Sequence, residues 1–209
     1  MKTDPQVQDL VLMYVGNLEV YQGIELLLQS FALVLRKTNV AKLVIIGGEA
    51  SHIKKYQTQS FNLGIVRKVE FLGPKPVQRL SEYLADADIL LSPRIKGRNT
   101  PMKIYSYLHS GKPIVATALP THTQVLDSRV AILVKPTPEA FAEGILRLVE
   151  DPKSRVELGE FGKKLVEEKF SYHAFRHKLI GLFNWLESEI YQDAEIPLRS
   201  VERSSKLLP

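Results

Sequence analysis

Four cationic side chains crowd one short stretch, Arg94, Lys96, Arg98 and Lys103 in SPRIKGRNTPMKIYSYLHSGKP. Thr100 has the residue type of a helix N-cap, Pro101 suits the first helical position, and Gly111 with Pro113 stops a helix two turns later. The spacing therefore predicts a short helix that opens at Thr100 and carries Lys103 in its first turn. A helix N-terminus disfavours cations by a few tenths of a kcal/mol each, so an anion would resolve the conflict. Free backbone N–H groups together with four cations make a seat for phosphate. The other outcome for the same charges is a solvated basic loop.

The elements that must hold this stretch are legible as alternating apolar runs. Strands are expected at 10–15, 42–46, 69–72, 89–91, 113–116 and 131–134, and helices at 23–37, 52–63 and 77–87, with Ile24, Leu27, Leu28, Phe31 and Leu35 as the apolar stripe of the first. Further helices are expected over 138–150, 154–169 and 171–190, and the last should pack through Phe175, Leu179, Leu182, Phe183 and Leu186, with Trp185 undecided. Short, continuously apolar strands separated by helices imply a parallel sheet covered on both faces. The fold class is thus α/β, a doubly wound Rossmann-like sheet of about six strands with C-terminal helices. In such a fold ligands bind beyond the carboxyl ends of the strands, where Gly16, Gly47-Gly48, Gly73-Pro74, the 93–100 loop and Thr117 to Pro120 all fall.

Composition narrows the chemistry. The 209 residues are 44% hydrophobic and 24% charged, ordinary for a globular protein. A net charge of +5 is too mild to argue for nucleic acid, although it suits anionic ligands or a membrane surface. The absence of cysteine excludes disulfides and thiolate metal sites. No apolar run is long enough for a membrane span and no signal-peptide core follows Met1, so a cytoplasmic protein is expected. Gly16 followed by Gly23 does not make a dinucleotide fingerprint, and there is no Gly-Lys-Ser/Thr phosphate loop and no Ser nucleophile between glycines. The five histidines are scattered; His122 alone stands in a segment, Pro120 to Thr123, that opens a helix on the cleft side.

Several segments carry a family resemblance: Tyr14-Val15-Gly16-Asn17-Leu18, Gly23-Ile24 opening a helix, Val44 to Gly48, Val69 to Gly73, Ala85 to Ile89, Pro101 to Tyr105, and Ser110 to Thr117. In order and spacing they resemble the C-terminal domain of a GT-B glycosyltransferase of the group 1, family 4-like type, over 10–187. The resemblance implies the donor-binding half of a retaining transferase that moves a hexose-type sugar to a saccharide or lipid-linked acceptor in polysaccharide or glycolipid synthesis. Its donor is a nucleotide-diphosphate sugar, and no cofactor or metal is implied. The donor contacts it implies are Gly16, Asn17, Gln22, Gly47, Gly73, Pro74, Lys75, Arg98, Asn99, Thr100, Pro101, Met102, Lys103 and Ser106, with no catalytic residue assigned to this half.

The same comparison exposes departures. The family usually carries two Glu seven residues apart, one near the donor sugar and one on the ribose; Arg98 and Ser106 stand there. It usually carries an Arg and a Lys facing the diphosphate where Asn17 and Gln22 stand. The acceptor-binding N-terminal domain that such enzymes have lies outside this sequence, so 1–9 reads as a linker remnant, 10–190 as the donor domain and 191–209 as a polar, frayed tail. The isolated domain is then expected to be inactive, and part of the last helix's apolar face uncovered, since in two-domain relatives it returns to the first domain. Expected partners are a nucleotide sugar, the missing acceptor domain in the same or a separate chain, and peripherally the inner face of a membrane, but no nucleic acid. A non-catalytic relative acting as a binding or regulatory module is the alternative. A flavodoxin-like signalling domain would need an acidic pocket at the strand ends, where this chain is basic.

Overall fold

The structure is a computed structural model, and it describes residues 9–193. Six strands form one parallel sheet in the order β3-β2-β1-β4-β5-β6: β1 Leu10–Val15, β2 Ala41–Ile46, β3 Val69–Gly73, β4 Ile89–Ser92, β5 Ile114–Thr117 and β6 Ile132–Val134. Helices connect them: α1 Ile24–Leu35, α2 Ala50–Asn62, α3 Leu80–Ala85, α4 Lys103–His109 and α5 Pro120–Thr123, followed by α6 Pro138–Glu150 and α7 Pro152–Lys169. Two chain units are separable, residues 9–168 and the segment from Lys169 onward.

The sheet is covered on both faces, which is why its strands are apolar throughout. Leu12 and Tyr14 of β1 join Leu27 and Phe31 of α1 and Phe141 and Ile145 of α6 in one core. Val11 and Met13, pointing the other way, join Ile104, Tyr107 and Leu108 of α4 and Val166 of α7 in the second. Two close backbone approaches fix helices against loops. At Gly23, with φ +75°, a Cβ would lie 2.0 Å from the Pro93 carbonyl, and at Gly159 one would lie 2.0 Å from the Gly111 carbonyl.

One local expectation is corrected. Helix α4 begins at Lys103, with Met102 at the cap position and no side-chain cap, rather than at Thr100. Thr100 donates its hydroxyl to Gln124 Oε1 at 3.2 Å, and the chain enters the helix through tight turns, Pro101 O to Ile104 N and Met102 O to Tyr105 N. In the second unit, α8 spans Tyr172–Asp193, three residues into the segment read as a tail. Its apolar residues Phe175, Leu179, Leu182, Phe183 and Leu186 are exposed, as is Trp185 at 55%. Residues 1–8, read as most of the linker remnant, and 194–209, the rest of the tail, lie outside the described residues.

Candidate functional site

Strands β1 and β4 are neighbours in space although β2 and β3 intervene in sequence, so the chain reverses direction across the sheet between them. They pair only through Leu12 with Ile89 and Met13 with Leu90, then diverge. The crevice that opens at their carboxyl ends is the topological switch point. The backbone N–H of Val15, left without a strand partner there, donates to the Tyr107 phenol oxygen of α4 at 2.8 Å. Beyond it lies a cavity of about 330 Å³.

Two loops wall the cavity. After β1 come Val15, Gly16, Asn17, Tyr21 and Gln22; after β4 come Arg94, Asn99, Thr100, Pro101, Met102 and Lys103. Tyr14, buried beneath, donates its phenol to Asn17 O at 2.6 Å and so shapes the first loop. The loops are joined at Tyr21: Ile95 N donates to Tyr21 O at 3.0 Å, the Arg94 guanidinium lies 5.0 Å from the ring centre, and Asn17 Nδ2 donates to the Tyr21 phenol oxygen at 3.3 Å.

Lys103 reaches back from the start of α4 to the cavity floor. Its Nζ donates to Gln22 Oε1 at 3.2 Å and sits 3.8 Å from the centre of the Tyr14 ring. Burial, then repulsion from Arg94, holds its pKa well below the usual lysine range. Arg94 organises its own loop, donating from Nε to Lys96 O at 2.8 Å and from Nη1 to Asn99 O at 3.0 Å and to Thr121 Oγ1 at 3.2 Å. No Asp or Glu lines the cavity. Among the described residues neither Lys103 nor Arg94 forms an ion pair.

Behind the second loop is a buried polar cluster. His122, fully buried, is placed by α5 between Thr117 and Ser92. Its Nδ1 faces the Thr117 carbonyl at 2.8 Å, an acceptor only, so Nδ1 carries the proton and Nε2 accepts from Ser92 Oγ at 2.8 Å. Thr117 Oγ1 in turn donates to Arg94 O at 2.6 Å. Desolvation lowers the His122 pKa to about 4, although the Thr117 bond works the other way.

Of the residues singled out from sequence, Gly16, Asn17, Gln22, Arg94, Asn99, Thr100, Pro101, Met102 and Lys103 line the cavity, whereas Lys96 is exposed outside it. Gly47 and Gly73 stand behind it: a Cβ at Gly47 would lie 2.2 Å from Gly16 O, and Gly47 N donates to Gly73 O at 2.8 Å. Pro74 and Lys75 follow β3 and are exposed. Arg98 is exposed, and its carbonyl accepts from Gln124 Nε2 at 2.9 Å; neither it nor Ser106, partly buried in α4, lines the cavity. Tyr21 also lines the cavity, and its only signal in the sequence is its place beside Gln22 in a polar turn.

A parallel doubly wound sheet with a basic cavity at its switch point is the arrangement in which open α/β folds bind their ligands. The sequence profile of the glycosyl transferases group 1 family matches residues 2–165, and the chain belongs to that family. It is 27% identical over 183 residues to an uncharacterised glycosyltransferase of Methanocaldococcus jannaschii, covering 85% of this chain and 45% of that protein. It is also 27% identical over 158 residues to the D-inositol 3-phosphate glycosyltransferase of Corynebacterium diphtheriae, covering 71% of this chain and 36% of that one. The chain thus spans less than half the length of these relatives. In fold it is similar to HepE of Anabaena, solved with UDP, at a TM-score of 0.75 and 17% identity over 85% of this chain and 49% of HepE. The C-terminal domain of LpcC, a group 1 family glycosyl transferase of Francisella tularensis, is similar at 0.71 and 17% over 79% of this chain and 88% of that domain. Among the described residues no helix is long and apolar enough to cross a membrane.

Proposed function

We propose that this chain is the donor-binding domain of a sugar transferase, seating the diphosphate of a nucleotide-diphosphate sugar between Lys103 and Arg94. The observation that carries the reading is a cavity at the switch point lined by two basic side chains, with no carboxylate on its walls and no ion pair to either of them. Unneutralised charge in a partly enclosed site is costly, and an oxyanion offsets it through charge-assisted hydrogen bonds. Asn17 and Gln22 add neutral hydrogen-bonding groups from the opposite wall. Family membership supports the transferase class, and the reaction it implies is transfer of a hexose-type sugar with retention to a saccharide or lipid-linked acceptor. Because the matched region is less than half of each relative, acceptor contacts and closure come from outside these residues in this reading.

Calorimetric titration with UDP-, GDP- and ADP-sugars tests it, with uridine donors first because HepE, of the same fold, was solved with UDP-glucose. Saturable binding of one donor is expected, without sugar transfer by the 209 residues alone. Binding of none of them would overturn the donor reading. A second reading, a binding module without catalysis, is favoured by one observation: no carboxylate lines the cavity to meet donor hydroxyls. Donor binding that persists when the chain is joined to an acceptor domain, yet never yields transfer, would select it.

A further inference from the structure

Lys103 lines the cavity with no counter-charge beside it. Its ammonium has one neutral acceptor, Gln22 Oε1, and one aromatic face, Tyr14. The charged and titratable groups around it offer no compensation. On β1, Tyr14 is a phenol that burial keeps neutral. On the loop after β4, Arg94 is a like charge. One turn along α4, Tyr107 is another phenol kept neutral by burial. In α5, His122 is neutral and is itself repelled by Lys103. The carboxylates on the segment after β1 and at the start of α1, Glu19 and Glu25, are exposed, do not line the cavity and are felt at Tyr56 instead. A cation–π contact and one amide oxygen replace only part of a lysine's hydration shell, and the neighbouring guanidinium opposes a second positive charge.

We propose that the cavity takes up a phosphate-class oxyanion together with a proton, Lys103 completing its ammonium charge as the anion arrives. The empty site then carries one permanent charge, on Arg94, and the occupied site two. The oxyanion supplies the counter-charge that the protein omits, and the proton comes from solvent, so charge balances across the step. Anion affinity is therefore tied to pH through a residue of the binding wall, and Gln22 acts as the positioning residue that holds Nζ towards the cavity in both states. The inference deepens the donor reading by saying how its anion is recognised, but needs only the oxyanion, whether it belongs to a sugar nucleotide or to a free ion.

The test is calorimetry of the full chain in buffers of different ionisation enthalpy, with sulfate as probe because its charge is fixed near neutral pH. Sulfate binding is expected to show net proton uptake in the wild-type chain, and its Kd to rise by about tenfold per pH unit where Lys103 is neutral. Lys103→Arg, whose guanidinium does not titrate, should bind sulfate with no uptake, and His122→Gln should keep the uptake. Buffer-independent heats in the wild type, equal uptake in Lys103→Arg, loss of uptake in His122→Gln, or no sulfate binding would each overturn the proposal. If Lys103→Arg does not fold, the wild-type buffer and pH series decides alone. A parallel titration with UDP-glucose, a diphosphate diester that does not titrate in this range, separates the two claims. Sulfate uptake without any sugar-nucleotide binding would leave this inference standing and reject the donor reading.

Discussion

The Lys103 ammonium lies 3.8 Å from the centre of the Tyr14 ring, on the floor of the cavity and across from Asn17, whose carbonyl the same tyrosine holds. One aromatic residue thus both shapes the first loop and supports the cation that projects from the second. Lys103→Ala is expected to weaken donor or sulfate binding by about 1.5–3 kcal/mol, the range of a charge-assisted hydrogen bond in a partly enclosed site. Circular dichroism should be unchanged, since Ile104, Tyr107 and Leu108 carry the packing of α4. Equal affinity in the variant would remove Lys103 from the site.

Arg94 and Arg98 offer a contrast within one loop. Arg94 lines the cavity and ties Lys96 and Asn99 through its fork, whereas the Arg98 side chain is exposed outside it. Arg94→Ala should cost about tenfold or more in anion affinity, and Arg94→Lys should not restore it, because an ammonium cannot reproduce the fork. Arg98→Ala should stay within about twofold, as for an exposed charge. Titrations that reverse this order would put the anion on the outer side of the loop, where Arg98 is exposed, and would return Arg98 to the donor contacts that the family resemblance implies.

Much of this was readable from residue types alone. The six strands stand out because a sheet covered on both faces requires unbroken apolar runs, and the glycines at their ends mark the cleft. The start of α4 was not readable in the same way: Thr100 has the chemistry of a cap, but Gln124, brought over from the α5 side, takes its hydroxyl. Nor could sequence pair Lys103 with Gln22, 81 positions away, or Arg94 with the ring of Tyr21. Those contacts depend on two loops converging from β1 and β4, which only the strand order brings about.

His122 makes acid stability a specific readout. Its folded pKa, about 4, lies below the ordinary 6.5, so the folded chain binds fewer protons between those values and stability falls with falling pH. The contribution is complete above about pH 6.5 and is lost as pH drops through about 4, on the order of 3 kcal/mol in all. Urea midpoints across this window should fall more steeply for wild type than for His122→Gln. Taking the difference removes the shared contribution of carboxylates such as Asp151, held low by Ser154. Parallel curves would show that His122 is protonated in the fold.

Gly159 in α7 lies against Gly111 so closely that a methyl group would meet its carbonyl at 2.0 Å. Gly159→Ala should therefore lose about 1–3 kcal/mol of stability by overpacking, despite alanine's better helix propensity. Urea denaturation checks this, and a gain in stability would mean that α7 shifts freely off the end of α4.

The central position of β1 has a consequence for how the chain acquires its cavity during folding. Beside the pairing of β1 with β4, Val11 N donates to an Asp88 carboxylate 77 residues away, so the crevice appears only after a long loop has closed. Each wall has local hydrogen bonds of its own, but those that join the two, Ile95 N to Tyr21 O and Lys103 Nζ to Gln22 Oε1, await that closure, and such non-local contacts form slowly and cooperatively. Occupancy of the cavity is consequently linked to the whole sheet rather than to one loop. A bound anion should slow exchange of the amide hydrogens buried in β1 and β4, wherever they open only by global unfolding, as much as those at the cavity rim.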